Sequence, residues 1–462
     1  MKYRRLRAAT CGAVLGAFAA TAESPRNAIL FMGDGMGVST VTAARILEGQ
    51  QLGGPGEEHY LSFERFDHVA LVKTYNTDAQ VSDSAGTMSA IVTGVKTRMG
   101  VLSVGPELAR GDCAGTAAAA LPTLAEEAEA AGLRTGIVTT TTVTHATPAA
   151  LYAHVSDRNW ESDAGLPATH DGTCIDIARQ LVEFPFGDGI DVVLGGGRGA
   201  FLPADAADPE YAWRTGSRRD GRHLVDEWLA GGQGRQYVWN DAQLRAANPD
   251  GQLLGLFAHS HMAWESDREG DVAGEPSLAA MTRVAIERLS GGSRGYFLMV
   301  EGGRIDHAHH AGNAYRALTD TIAFAAAVRT AVESTDPAST LILVTADHSH
   351  TLTISGYSQR GNPILGHATA GGTPLTDARQ RPYTTLSYAN GPGFRSVDAG
   401  DEDPLAPDYK QPATWPLAAE THAGEDVAAY ATGPGADRLR GVMDQQELHG
   451  VLREALRLAG NR

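Results

Sequence analysis

The feature that most constrains this chain is a repeated one. Four short apolar runs, at 27–32, 135–140, 296–300 and 340–345, each stop at a loop carrying acids, hydroxyls or histidines. Runs this short, apolar without alternation, read as strands buried on both faces, as in parallel sheets. After the first comes Gly33-Asp34-Gly35-Met36-Gly37, and after the second Thr144-His145-Ala146-Thr147-Pro148. The third leads into Glu301-Gly302-Gly303-Arg304-Ile305-Asp306-His307-Ala308-His309-His310, and the fourth into Ala346-Asp347-His348-Ser349-His350. Isolated turn residues have no reason to share one edge, and open α/β sheets hold their ligands at the C-terminal ends of their strands. The expected fold is α/β, with a large, mostly parallel central sheet and helices on both faces.

A further stretch, Val81-Ser82-Asp83-Ser84-Ala85-Gly86-Thr87, reads as a loop turning into a helix. Asp83 is a good N-cap, and the small residues after it allow a ligand close to the helix start, whose free N–H groups favour an anion. Alone, the motif need only cap a helix. Beside the strand-end residues, Ser84 becomes a candidate nucleophile. Arg158, in the loop Ser156-Asp157-Arg158-Asn159-Trp160, has the planar fork that suits a phosphoryl group. If a helix begins near Ile305, Asp306 and His310 lie at i and i+4 on one face, where two side chains can hold one ion.

The rest of the chain sets limits. A formal charge of -17 on 462 residues argues against a general binder of nucleic acid or anionic membrane, which needs basic patches. Residues 1–22 combine Lys2, Arg4, Arg5 and Arg7 with a weakly apolar run and Ala20-Thr21-Ala22, the pattern of a signal peptide. A periplasmic or secreted protein without a membrane span is expected. Cys11 falls in that segment; Cys113 and Cys174 remain, to pair in an oxidising compartment or to stay as two buried thiols. The stretch 204–274 is polar with scattered tryptophans and is expected at the sheet periphery. Residues 356–419 lapse into a Gly/Pro-rich segment, read as a subdomain inserted between 23–355 and the returning core at 420–462.

Carboxylates, imidazoles and hydroxyls without paired thiolates suit zinc and magnesium. Two such ions can clamp the attacking and leaving oxygens of an in-line displacement.

Taken in order, Gly33–Gly37, Asp83–Thr87, Glu301–His310, Thr345–His350 and Glu420-Thr421-His422-Ala423-Gly424-Glu425-Asp426 resemble the alkaline phosphatases, in their animal-type form, over nearly the whole mature chain. The resemblance implies a metal-dependent phosphate monoester hydrolase of broad range, working through a phosphoserine on Ser84 with Arg158 gripping the phosphoryl oxygens. It implies two Zn²⁺ and one Mg²⁺ per subunit: Asp306, His310 and His422 on the first zinc, and Asp34, Asp347 and His348 on the second. Asp34 also bridges to magnesium, completed by Thr147 and Glu301, with His145 and His307 reaching that ion through water. It further implies a Cys113–Cys174 disulfide, a crown subdomain at 356–419 and a homodimer in which Tyr357 reaches the partner's active site. At the positions of the animal enzymes' calcium site stand Glu210, Phe257, Ala258 and Glu275, where Ala258 replaces a carboxylate, so a fourth ion is not expected. The competing readings are a sulfatase or phosphodiesterase of the same superfamily and a non-catalytic metal or phosphate scavenger, for which Ser84 would have no use.

Overall fold

A computed structural model describes residues 26–168, 172–395 and 402–458. The expected signal peptide, 1–22, lies outside them. Ten strands form the central sheet: β1 (Asn27–Gly33), β2 (His68–Lys73), β3 (Arg134–Thr142), β4 (Val192–Gly196), β5 (Gln236–Val238), β6 (Leu253–Leu256), β7 (Tyr296–Glu301), β8 (Thr340–Ala346), β9 (Val427–Thr432) and β10 (Gly441–Asp444). Their spatial order is β10-β2-β9-β8-β1-β7-β3-β4-β6-β5. Every strand runs the same way except β9, which is antiparallel to both β8 and β2.

The apolar runs form the middle of this sheet, as a strand covered on both faces requires. Every residue of β4, β7 and β8 is buried. Ile29, Leu30, Phe31 and Met32 of β1 are fully buried, each contributing about 1.5–3 kcal/mol by leaving water. By contrast β2 and β9 alternate between buried and more exposed residues, as strands with one open face do. One group of helices centres on Ala314–Ser334, which packs against Val38–Gln51, Leu278–Leu289 and Arg304–His310; another joins Ser84–Thr93 to Glu447–Ala455. Phe324 of the long helix meets the Phe31 ring edge-on at 5.8 Å, anchoring that helix to the central strand.

Register then does the positioning. Met32 pairs with Glu301 and Thr345, Gly33 with Ala346, and Thr139 with Glu301. Four strands therefore end level, and Asp34, Glu301 and Asp347 emerge side by side.

The stretch 204–274 is not merely peripheral packing, because it supplies the edge strand β5 and its inner neighbour β6. Strands Leu352–Ile354, Leu386–Gly391 and Ala413–Pro416 form a separate small sheet, and a hairpin pairs Thr369–Ala370 with Thr373–Pro374. A disulfide joins Cys113 to Cys174. No helix among the described residues is long and apolar enough to cross a membrane.

Candidate active site

Ser84 is the first residue of the helix Ser84–Thr93, and Asp83 caps it by accepting from the Gly86 N–H at 3.1 Å. The cap has a second task. Its other oxygen, Oδ2, accepts from the Gly100 N–H and from Arg158 Nη1, both at 3.0 Å, so one carboxylate fixes the helix start and aims the arginine. Residue 86 must be glycine, since a Cβ there would meet Asn76 Nδ2 at 2.3 Å and Arg98 O at 2.8 Å.

Ser84 Oγ lies 3.2 Å from His348 Nε2 and 3.4 Å from Asp34 Oδ1. His348 Nε2 is in turn 3.4 Å from Asp34 Oδ1 and 3.3 Å from Asp347 Oδ2. Beyond them, Asp306 Oδ1, His310 Nε2 and His422 Nε2 lie 3.2–3.3 Å from one another. Ligands held at ~2.0–2.1 Å around a tetrahedral ion are about 3.3 Å apart, so both groups have the spacing of such a site. The tautomers fit as well. His310 Nδ1 and His422 Nδ1 donate to the backbone carbonyls of Glu420 and Ser82, at 2.5 and 2.7 Å, leaving each Nε2 a free lone pair.

A third group brings Asp34, His145 and Glu301 together. Glu301 Oε2 accepts from the hydroxyls of Thr139 and Thr141. Buried Asp34 Oδ2, Asp347 Oδ2, Glu301 Oε1, Thr147 Oγ1 and His145 Nδ1 find no hydrogen-bond partner among the described residues. Orphaned buried oxygens converging on one cleft need cations. The acidities agree. Burial and then the neighbouring carboxylates of Asp347, Asp306 and Glu301 drive Asp34 well above the usual carboxylate range, and burial lifts Glu301 to about 7. Burial also raises Asp347 and pushes His348 well down, to the neutral form that ligates.

The fold brings Asp34, Asp306, His310, Asp347, His348 and His422 together near Ser84, with Glu301 beside Asp34, Arg158 on Asp83 and His145, Thr147 buried with its hydroxyl unpartnered among the described residues, and His307 against Arg304. Other contributors carried no role in the sequence reading. Fully buried His350 bonds Asp306 Oδ1 at 2.8 Å and Glu420 Oε2 at 2.5 Å. Burial opposes its charge, but those two carboxylates lift it to about 10. The motif Glu420–Asp426 contained Glu420 without signalling that its buried side chain braces His350 and Thr351. His309, by contrast, has both ring nitrogens engaged, bonding Thr40 and Tyr388. Gly35, at φ 67°, turns its N–H onto Asp347 Oδ1 and leaves no room for a Cβ beside the His350 ring.

The family description "alkaline phosphatase" matches residues 25–458. The chain belongs to the alkaline phosphatase family. It is 45% identical over 453 residues to the tissue-nonspecific alkaline phosphatase of Gallus gallus, covering 95% of this chain and 85% of that protein. The alkaline phosphatase of Gadus morhua is 43% identical over 451 residues, covering 95% and 93%. The human tissue-nonspecific isozyme is also 43% identical, covering 94% and 84%. Among solved structures, the Thermus thermophilus alkaline phosphatase superposes with a TM-score of 0.68 at 26% identity, covering 95% of this chain and 92% of that one. That of the Antarctic bacterium TAB5 gives 0.67 at 21% identity, a likeness of fold, covering 95% and 100%. Alkaline phosphatases are phosphomonoester hydrolases, and this chain is one.

Proposed function

We propose that the chain moves the phosphoryl group of a monoester first to Ser84 Oγ and then to water, with broad choice of alcohol. The observation that carries this is the position of Ser84 Oγ: on a helix N-terminus, 3.2 Å from His348 and 3.4 Å from Asp34, beside an arginine aimed by the residue next to it.

Zinc on Asp306, His310 and His422, zinc on Asp34, Asp347 and His348, and magnesium on Asp34, Thr147 and Glu301 fit the donors, imidazole-rich for the first and all-oxygen for the last. When bound, such ions supply the positive charge that attracts the dianion and acidifies hydroxyl and water. The side chains supply the rest. Arg158 has five N–H donors, of which Asp83 and His145 take two, leaving three for phosphoryl oxygens. The helix start favours the same charge. Ser84 Oγ gives up its proton and bonds to phosphorus as the ester oxygen leaves and takes up a proton to become the alcohol; water then breaks the phosphoserine bond, one of its protons returning to Oγ as orthophosphate is released.

Residues 1–22 act as a signal peptide, and export to the periplasm or beyond suits the Cys113–Cys174 pair. The division into 23–355, an inserted crown-like subdomain at 356–419 and a return at 420–462 is supported by the small sheet near those limits. A homodimer, with Tyr357 reaching the partner's site, is supported by the 99% exposure of that ring.

Acid-quenching the enzyme during turnover of a labelled ester should trap label on Ser84. Ser84→Ala should keep its metals, still bind inorganic phosphate and lose at least ~10³-fold in turnover. Undiminished turnover in that variant would remove the covalent route.

A further inference from the structure

Three imidazoles, from His145, His261 and His307, stand together at the mouth of the cleft. Their ring centroids are 5.4 Å apart for His145 and His307, 5.6 Å for His145 and His261, and 4.4 Å for His261 and His307. All three rings are partly exposed. His261 comes from the loop after β6, one of the strands the apolar pattern does not reveal.

A cluster of three histidines invites a metal, but the hydrogen bonds here argue otherwise. On each ring one nitrogen faces a group that can only donate. His261 Nδ1 receives the backbone N–H of Thr142 at 3.1 Å. His307 Nδ1 receives Arg304 Nη1 at 2.8 Å, and His145 Nε2 receives Arg158 Nη2 at 3.1 Å. Guanidinium and amide N–H groups have no lone pair to offer, so each of those ring nitrogens must be the bare one. The proton of each neutral ring therefore sits on the other nitrogen: Nδ1 of His145, Nε2 of His261 and Nε2 of His307. Three N–H donors remain, with no acceptor among them. They cannot satisfy one another, and none keeps a lone pair for a cation, which takes His145 out of the ligand group that spacing alone gives it with Asp34 and Glu301. His145 Nδ1 is buried and has no hydrogen-bond partner among the described residues.

We propose that His261 completes, with His145 and His307, a donor-only subsite beside Arg158 that takes an oxygen of the bound phosphoryl group, directly or through one water. His261 is then a positioning residue for phosphate and not a metal ligand. This rests on the phosphoryl site proposed above, with Arg158 as the anchor. The subsite acts on any bound phosphoryl group, in substrate or product, so its loss should appear in affinity more than in the chemical step.

Two substitutions separate this role from a structural one. His261→Phe removes both ring nitrogens, whereas His261→Gln can set its amide N–H near the place of Nε2 with its oxygen no longer at the place of Nδ1. In the zinc- and magnesium-loaded enzyme, His261→Phe should raise both KM and the inhibition constant for inorganic phosphate roughly tenfold, the worth of one hydrogen bond to a charged group. Its kcat should stay within about threefold, its metal content should be unchanged, and His261→Gln should recover most of the loss. Equal losses in both variants would mean that His261 only holds Thr142. A missing metal equivalent in either would mean a cation site, and an unchanged inhibition constant would mean no subsite. Each of these overturns the proposal. The unmutated enzyme gives an independent check: ¹⁵N spectra of histidine-labelled protein should put the His261 proton on Nε2, and a proton on Nδ1 also overturns it. Monoester hydrolysis by wild type, measured alongside, tests the phosphatase reading separately.

Discussion

Two clusters of buried acids lie at the C-terminal edge of the same sheet, and they solve one electrostatic problem in opposite ways. Around Ser84, Asp34, Asp347 and Glu301 each leave an oxygen without a partner. Beyond β4 and β6, Asp208 and Glu210 instead surround the fully buried guanidinium of Arg198. Its Nε and Nη2 grip Asp208 at 2.9 and 2.8 Å, and Nη2 also reaches Glu210 at 2.6 Å. Burial would raise Asp208, but Arg198 and His259 outweigh it and hold that carboxyl well below the usual range. Nearby Glu275, which forms no ion pair among the described residues, is lifted by burial to about 7. Acidic side chains alone do not mark an ion site. At Asp208 and Glu210 the answering charge comes from the protein itself, in Arg198.

The largest expected break in this comparison comes from chelation. Stripping ions should cost at least ~10³-fold in turnover, restored by zinc and magnesium together, while the Arg198 cluster stays intact. Stripping should also change how stability follows pH. A carboxyl raised to about 7 in the folded protein binds its proton more tightly than in the unfolded chain, so its contribution is present at low pH and lost as pH rises through 7. Thermal melts of chelated enzyme should therefore fall as pH climbs from 6 to 8, and melts of the loaded enzyme should fall less. Next in size, Arg198→Met leaves Asp208 and Glu210 facing each other without a cation. It should cost about 3–5 kcal/mol in denaturant unfolding, with the active-site metals still bound in the folded fraction.

His350→Ala is expected to act on the other cluster alone. It removes the brace between Asp306 and Glu420, and should weaken metal binding at Asp306, His310 and His422 about 10–100-fold in a competition titration. The smallest effect concerns a second internal cation, His154, which bonds Glu126 Oε1 and Ser103 O, both at 2.8 Å. Burial opposes protonation there, but Glu126 raises the pKa above the ordinary histidine value. That contribution is full below ~6.5 and disappears as pH rises through the folded value, so His154→Gln should lower the melting point more at pH 6 than at pH 9, by about 2 °C.

Much of the site was legible because strand and chemistry shared one signal. Asp34, Glu301 and Asp347 sit at the ends of unbroken apolar runs, and parallel pairing then has to bring them level. Asp306 and His310 were legible from helical spacing, and Ser84 from its cap. Illegible were the residues whose role depends on contacts between distant segments. His350 and Glu420 stood inside quoted motifs, yet nothing local shows that one ring would bridge carboxylates from 306 and 420. His261 was hidden further, since β6 is only four residues long and its loop looked like part of a polar periphery. Strands β2 and β10 escaped for a related reason: apolar residues such as Val69, Leu71 and Val442 lie exposed, and their runs lack the unbroken burial of the centre.

The reversed strand β9 has a consequence for how the molecule is made. His422 precedes β9, so the chain must return across the sheet's upper edge before it can supply that imidazole. A polypeptide still being synthesised, with Asp306 and His310 already made and His422 yet to come, lacks one corner of that group. Metal binding at that group therefore belongs to the finished molecule, and chains cut short before residue 422 should hold metal more weakly there even where most of their sheet has formed.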